Sequence, residues 1–232
     1  MTEEIETYLN INPYKFEIYL FDKKKNINLY KKEKNIDDKF SSINFNSLNN
    51  FLDEHIFKIE KLTGKFIKNI NLIISHEKIL ETNLGIKKKN YDKNVSKKIL
   101  DNILIEFKEL FKETYQDRRI MHMLINKYTV DGKIISKIEN DISSNFLCIE
   151  TKFISIPDSF AFEIDEILKK YQIKIVNFLD YQYLNNLFKN ENMEIPQMVE
   201  KVLSGYNQNE VIIVPKTYKK LGFFEKFFHL FS

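Results

Sequence analysis

Alternating hydrophobic and polar positions predict strands in the first part of the chain. The alternation runs through Lys15–Phe21 and again through Asn26–Tyr30, with the polar turn Asp22–Lys25 between them. Two period-2 segments around a short turn are typical of a β-hairpin. Further on, the apolar run Asn69–Ser75 has the length and composition of a buried strand.

Helical spacing of apolar residues predicts the elements that separate and follow these strands. The first helix is expected to start at the N-cap residue Ser47 and to stop at Gly64, and a loop containing Gly85 precedes the second. The other helices are predicted at Lys93–Glu113, from Asp158 onward, at Asp180–Lys189 and at Pro196–Ser204. The later strands are predicted at Ile120–Val130, Asn145–Ile156, Gln172–Phe178 and Glu210–Val214. This order indicates an α+β fold of antiparallel sheets with helices on one face.

Composition restricts the class of protein without identifying it. The 232 residues are 43% hydrophobic and 30% charged, as in an ordinary globular protein, and the net charge of +3 does not indicate nucleic-acid binding. Cys148 is the single cysteine, so no disulfide forms within the chain and a reducing compartment is expected. No apolar run approaches the roughly 18–20 residues of a membrane-spanning helix.

The residues that usually carry enzyme chemistry are scattered. The five glycines are isolated, so neither Gly-rich phosphate-binding motif occurs, and Asp22 is the one candidate for an actin-like phosphate turn. The four histidines are far apart, which argues against a metal site. His122, within a predicted strand, is expected to be a structural histidine with satisfied hydrogen bonds. We therefore expect no catalytic residue, no metal, no cofactor and no enzyme activity.

The last segment, residues 216–232, which we call the tail, differs from the rest of the chain. It places five of the twenty phenylalanines within nine residues. On a helical wheel these form one apolar face beside lysines that can meet anionic lipid, the pattern of an interfacial membrane helix. The predicted membrane-binding residues are Lys219, Lys220, Leu221, Phe223, Phe224, Lys226, Phe227, Phe228, Leu230 and Phe231. The alternative is a helix that docks on the protein's own core.

The stretch RIMHMLINKYTVDG, from Arg119 to Gly132, resembles a segment of FtsA, the actin-like bacterial cell-division protein. The residues that fit the family motif, with a structural or interaction role, are Arg119, His122, Tyr128, Val130, Asp131 and Gly132. The family's usual proline is replaced by Ile125 or Asn126. Neighbouring segments resemble the family's elements in the same order, and GFFEKFFHLF resembles its membrane-targeting helix.

The resemblance implies three parts. Residues 14–78 and 179–215 would be the remnant of the first actin-like, ribonuclease-H-like lobe. Residues 79–178 would be an FtsA-type inserted domain, a small antiparallel sheet with helices, and residues 216–232 the amphipathic membrane-targeting tail. The second lobe, with the adenosine pocket and the FtsZ-binding surface, has no counterpart, which puts ATP binding and direct FtsZ binding in doubt.

The function that this resemblance implies is a non-enzymatic adaptor of cell division. It would lie on the cytoplasmic face of a bacterial inner membrane at the division site, with the lipid surface, divisome proteins, itself or indirectly FtsZ as partners, and with no nucleic acid. The first alternative is an adaptor like PilM, from a pilus or secretion apparatus, which shares the actin-like fold and binds a short peptide of a membrane protein. The second is a degenerate actin-like nucleotide switch.

Overall fold

The computed structural model describes residues 4–36, 43–89, 95, 97–136, 138 and 143–211. Its strands are β1 (Ile5–Asn12), β2 (Lys15–Asp22), β3 (Ile27–Asn35), β4 (Asn69–Ile74), β5 (Leu80–Lys89), β6 (Arg118–Val130), β7 (Lys133–Ile135), β8 (Phe146–Pro157) and β9 (Lys174–Asp180). Its helices are α1 (Phe45–Thr63), α2 (Lys97–Thr114), α3 (Asp158–Lys169), α4 (Tyr181–Leu187) and α5 (Ile195–Leu203). The described fold is therefore mixed α/β.

The first sheet has five strands in the order β3-β2-β1-β4-β9. The hairpin predicted from the alternating pattern is confirmed as β2 and β3, whereas β1 was not predicted. β1 runs antiparallel to β2 but parallel to β4, and β4 runs parallel to β9. This sheet contains the segments in which a remnant of the first actin-like lobe was expected.

Helices cover both faces of the first sheet. On one face, Leu52 of α1 and Ile164 of α3 belong to the same buried cluster as Leu72 of β4. On the other face, Leu184 of α4 and Val199 of α5 are buried in a cluster with strand residues of the same sheet. The prediction of antiparallel sheets with helices on one face is therefore wrong here. The physical reason is that a central parallel strand such as Asn69–Ile74 is apolar on both faces and needs cover on each.

The second sheet is antiparallel, with the order β5-β8-β6-β7. Phe107 and Phe111 of α2 are fully buried in a cluster with Ile149 and Phe153 of β8. All four strands come from residues 80–157, and this segment lies between β4 and β9, which are neighbours in the first sheet. The second sheet is thus inserted in the chain between two adjacent strands of the first.

The predicted end of the inserted part, residue 178, is too late. α3 is buried against the first sheet with α1, and β9 pairs with β4. The helix and strand assigned to the insertion from sequence therefore belong to the first sheet. The apolar patterns predict both elements, but an amphipathic pattern does not indicate which sheet its apolar face covers.

Two local predictions also need correction. The predicted loop around Gly85 is strand β5, which pairs along its whole length with β8 at the edge of the second sheet. Its lysines suit an edge strand, where charged side chains discourage pairing with other chains. The first helix is capped by Asn44, not Ser47, because the Asn44 side chain accepts a hydrogen bond from the Ser47 N–H. Its end at Gly64, in the left-handed conformation, is confirmed.

The turn between β6 and β7 consists of Asp131 and Gly132, as predicted. Both have positive φ, 46° and 85°, and Val130 pairs with Lys133. Positive φ at both central residues of a two-residue loop defines a type I′ hairpin turn, which fits the twist of the strands.

Gly132→Ala should lower the free energy of unfolding by about 1 kcal/mol, because an L side chain is strained at this φ. Gly85→Ala is the matched control, since its Cβ would lie at an ordinary contact distance of 3.8 Å from Glu150 Cγ and its φ is not left-handed. Its effect should stay within about 0.5 kcal/mol. Urea denaturation of both variants measures the difference, and equal losses would contradict the assignment of the turn.

Candidate functional site

A buried cluster of polar side chains joins the two sheets, and we call it the polar junction. It consists of His122 on β6, Asp180 at the end of β9, Tyr183 on α4, and Asn207 and Glu210 in the segment that follows α5. The sequence places these residues as far as 88 positions apart. Three separate parts of the chain therefore meet at one histidine.

Both ring nitrogens of His122 have partners, and only 3% of the residue is exposed. The Asp180 backbone N–H donates to Nε2 at 2.9 Å, and Nδ1 lies 2.7 Å from a Glu210 carboxylate oxygen. Because a backbone N–H can only donate, Nε2 must be the acceptor, which leaves the proton on Nδ1 to donate to Glu210. The neighbours therefore fix the tautomer of the histidine.

The carboxylates of the junction are also held by several donors. The second oxygen of Glu210 accepts from the Tyr183 hydroxyl at 2.7 Å, and Asn207 donates to that hydroxyl at 3.0 Å. Asp180 caps α4 by accepting from the backbone N–H groups of Gln182 and Tyr183. Burial raises the pKa of the Asp180 carboxyl, against the opposing effect of these hydrogen bonds and of His122.

The chemistry of this cluster is that of a structural network. A histidine oriented by a carboxylate is also the arrangement of a general base, but a base needs a ring nitrogen that can reach a substrate. Here Nε2 accepts from the Asp180 N–H, and the ring packs against Tyr183 with the two ring planes tilted by 48° and the centroids 4.3 Å apart. The expected structural histidine is thus found at the seam between the sheets.

Sequence reasoning identified His122 but missed its partners. Asp180 carried a signal, because an aspartate directly before a predicted helix is a strong N-cap candidate. Glu210 carried none, since a single glutamate at the start of a predicted strand has no feature that ties it to a histidine far away in sequence.

The other residues of the proposed family motif spread along β6 and do not form a site. Arg119 makes ion pairs with Asp158 at 3.5 Å and Asp165 at 3.0 Å on α3, so it ties that helix to β6. Asp131 accepts hydrogen bonds from the backbone N–H groups of Asn145 and Phe146, which holds the β6–β7 turn to the start of β8. Tyr128 is half-buried, and burial raises the pKa of its hydroxyl. Val130 and Gly132 complete the hairpin.

The two turns that join β1, β2 and β3 hold some of their backbone N–H groups in local hydrogen bonds. The turn between β1 and β2 contains Pro13, which has no N–H, and the Tyr14 N–H already donates to the Asn12 side chain at 3.0 Å. The sequence candidate Asp22 lies instead at the turn between β2 and β3, where it accepts from the Lys25 N–H. A phosphate cradle needs several free backbone N–H groups that converge.

The described residues contain no group of three or more His, Cys, Asp or Glu side chains placed to hold a metal ion. Within the same part of the chain, no helix is both long and apolar enough to span a membrane. The ten predicted membrane-binding residues, from Lys219 to Phe231, lie outside the described residues, so lipid binding by the tail remains a prediction.

An exposed apolar groove of about 1750 Å³ lies at the opposite end of the first sheet from the polar junction. We call it the apolar groove. Its exposed apolar residues are Ile5, Leu29, Leu62, Phe66 and Val176, with Phe66 the most exposed at 82%. Large exposed apolar side chains that line one groove are candidates for a protein or membrane contact.

Replacing His122 with Ala should lower the free energy of unfolding by about 2–4 kcal/mol, because Glu210 and the Asp180 N–H lose a buried partner. Glu210→Gln should cost less than about 1 kcal/mol, since an amide oxygen still accepts from Nδ1. Asn126→Ala, at an exposed position of β6, is the control. In a double-mutant cycle, His122→Ala and Glu210→Ala should show a coupling energy of at least about 1 kcal/mol. If the losses of stability in the two single variants simply add, the hydrogen bond between these residues does not contribute as proposed.

The sequence matches no protein-family model and no curated protein. Among solved structures, the chain is similar to a type IV pilus biogenesis complex of PilM and PilN, with 10% identity, a TM-score of 0.48, and 80% of this chain and 50% of that one covered. It is also similar to the cytoplasmic domain of EpsL, an inner-membrane component of the type II secretion system of Vibrio cholerae. That match has 6% identity, a TM-score of 0.40, and coverage of 76% and 57%.

A third similar structure is a protein of unknown function with an actin-like ATPase fold from Bacteroides thetaiotaomicron. It has 12% identity, a TM-score of 0.35, and coverage of 83% of this chain and 58% of that one. The chain thus spans about half the length of the structures it matches. None of the three is described as a cell-division protein.

Proposed function

We propose that this chain is a non-enzymatic adaptor that binds a partner protein in the apolar groove and attaches it to a membrane through the tail. The observation that carries the proposal is the groove itself, where five large apolar side chains are exposed together. The β1–β2 turn supports the non-enzymatic part, because its proline and its satisfied amide leave few donors for a phosphate group.

The charges around the groove indicate the kind of partner. Lys65 and Lys68 flank Phe66, and neither ammonium group forms an ion pair with a described residue. The carboxylates of the groove already have lysine partners, since Glu6 and Glu200 both lie within ion-pair distance of Lys23, and Glu4 lies 3.7 Å from Lys24. We therefore infer that the occupant is a partner segment with apolar side chains and acidic residues beside them.

Two kinds of machinery are candidates for the adaptor, cell division and a pilus or secretion apparatus. The cell-division role rests on the resemblance of Arg119–Gly132 and of the order of elements to FtsA. The pilus or secretion alternative agrees with the descriptions of two similar structures, which share the fold only in part. Both roles use the same two surfaces, the groove and the tail.

Phe66→Asp combined with Leu62→Asp should weaken partner binding by more than about tenfold, because two apolar contacts are replaced by charges that repel an acidic segment. The probes are fluorescent peptides that cover the cytoplasmic segments of bacterial pilus, secretion and division membrane proteins, measured by fluorescence anisotropy. Phe57→Asp is the matched control, because Phe57 lies on α1 like Leu62 and is 69% exposed, but does not line the groove.

Two results would contradict the proposal. Binding of the tightest peptide that persists unchanged in the Phe66 and Leu62 double variant would exclude the groove. A rise in melting temperature with ATP and magnesium would instead support a nucleotide switch. The class of peptide that binds decides between division and the pilus or secretion alternative.

Phe227→Asp combined with Phe228→Asp should reduce binding to anionic liposomes by more than about tenfold, because each buried phenylalanine contributes roughly 1.5–3 kcal/mol. Co-sedimentation measures the binding, and circular dichroism checks that the protein remains folded. Phe162→Asp, at an exposed position of α3, is the control. If the tail variant unfolds the protein, the tail is part of the core and the membrane role is wrong.

A further inference from the structure

The outer strand of the first sheet, β3, has a strand partner on one side only in the described part of the chain. It pairs with β2 and stands at the end of the strand order. Seven of its nine residues, Ile27–Asn35, are exposed, so the open side is accessible. The open edge of a sheet presents backbone N–H and C=O groups with which another strand can pair. β3 is therefore a template for a further strand.

The charges on one face of β3 are paired within the protein. Lys31 forms an ion pair with Glu194, at the start of α5, at 2.8 Å. Glu33 forms an ion pair with Lys15 of β2 at 2.9 Å. This face of the strand therefore offers little net charge to a partner.

The lysines on the opposite face of β3 are not paired in this way. Lys32 and Lys34 lie directly opposite Ile18 and Phe16 of β2, whose side chains are buried against α1. Residues that face each other on neighbouring strands share a face of the sheet, so both lysines belong to the face that α1 covers. Neither ammonium group forms an ion pair with a described residue. We call Lys32 and Lys34 the basic edge.

A buried histidine on α1 responds to the charge of the basic edge. Burial lowers the pKa of His55, and Lys58, Lys32 and Lys34 lower it further, against the opposing effect of Glu54. The Glu54 carboxylate already pairs with Lys58 at 3.0 Å. The basic edge thus keeps a positive charge that the described carboxylates around it do not neutralise.

The strand continues from the basic edge into the apolar groove. Leu29 of β3 lines that groove, and Ile27, at the start of the strand, is 49% exposed. Lys32 follows Leu29 by three residues, which is about 10 Å along a strand. One extended segment paired with β3 can therefore meet the lysines at one end and the groove at the other.

The basic edge restricts which strand can pair here. Opposite charges on facing residues of neighbouring strands stabilise a sheet, and like charges destabilise it. A second copy of β3 that paired antiparallel about Glu33 would place Lys32 opposite Lys34 of that copy. An acidic segment would place carboxylates there instead, so the charge favours an acidic partner over a second copy of the chain.

We propose that β3 is the docking edge for an extended, acidic segment of the partner protein. The segment adds to the first sheet as a further strand, places acidic residues opposite Lys32 and Lys34, and inserts apolar side chains beside Leu29 into the apolar groove. This inference rests on the proposed function, because it takes the same partner to occupy the groove. It specifies the partner as a strand with alternating acidic residues and an apolar end.

Fluorescence anisotropy with a designed peptide tests the proposal. The labelled probe alternates glutamate and valine over about eight residues, the length of an ordinary strand. One control peptide carries lysine in place of glutamate, and another carries proline in place of two valines. The acidic probe should bind with a dissociation constant of about 100 μM or tighter, and both controls at least about tenfold more weakly, because they lose the charge pairs or the strand. Absent binding of the acidic probe, or equal binding of all three peptides, would overturn the proposal.

Variants of the protein locate the charges that the probe meets. Lys32→Glu combined with Lys34→Glu should weaken binding of the acidic probe by more than about tenfold, because facing carboxylates repel. Lys98→Glu combined with Lys133→Glu is the matched control, since both lysines are exposed and lie outside the first sheet. It makes the same change in net charge and should alter binding by less than about twofold. Equal losses in the two double variants would overturn the proposal.

The double variant of Phe66 and Leu62 separates this inference from the proposed function. If it abolishes binding while the variant of Lys32 and Lys34 binds normally, the groove is the binding site and the docking edge is wrong. If only the lysine variant loses binding, the docking edge stands and the assignment of the groove is wrong. Loss of binding in both supports one segment that spans the two.

Hydrogen–deuterium exchange shows where the acidic probe lies. With saturating probe, the amides of Leu29–Lys34 should exchange several-fold more slowly, because a paired strand protects its amides. The amides of Leu84–Lys88 in β5, the edge strand of the second sheet, should not change. Protection of β5 without protection of β3 would overturn the proposal.

Discussion

The hydrogen bond from the Asp180 N–H to His122 Nε2 is the contact on which the arrangement of the two sheets depends. A buried imidazole needs a partner for each nitrogen, because an unsatisfied buried polar group costs about 1–3 kcal/mol. The requirement is met only when the end of β9, the start of α4 and the segment around Glu210 all reach β6. One side chain therefore fixes the position of three parts of the chain.

The insertion of the second sheet explains why such a contact is needed. Residues 80–157 leave the first sheet after β4 and return before β9, so the second sheet is attached through two nearby connections. Arg119 stabilises the connection back to the first sheet, because it forms ion pairs with two carboxylates of α3. The polar junction holds the opposite side of β6. Polar contacts of fixed geometry specify one relative position of two sheets better than apolar contact does.

The surfaces of the protein divide into two kinds. A groove of about 760 Å³ lies between the two sheets and is lined by residues of β6 and β9. The apolar groove at the other end of the first sheet has a larger volume and is lined by exposed apolar side chains of β1, β3, α1 and β9 and by Phe66 after α1. The proposed adaptor role would need the apolar groove to stay open to a partner while the buried clusters stay closed.

Sequence patterns predict most of the helices and strands, because the spacing of apolar residues and the turn residues are local properties of the chain. The alternation of β2 and β3, the stripe of α1 with its stop at Gly64, and the turn at Asp131 and Gly132 all follow from residues close in sequence. The strand β1 was missed and β5 was read as a loop, since pairing with a neighbour, not composition, decides whether a polar segment becomes a strand.

Tertiary structure alone decided which sheet each element joins. Nothing in the local pattern of α3 and β9 distinguishes the first sheet from the insertion, and nothing near Glu210 indicates that it meets His122. The parallel pairing of β1 and β4, the cover on both faces of their sheet, and the polar junction all depend on contacts between distant residues. Sequence periodicity fixes which face of an element is buried, but only the assembled chain fixes what that face is buried against.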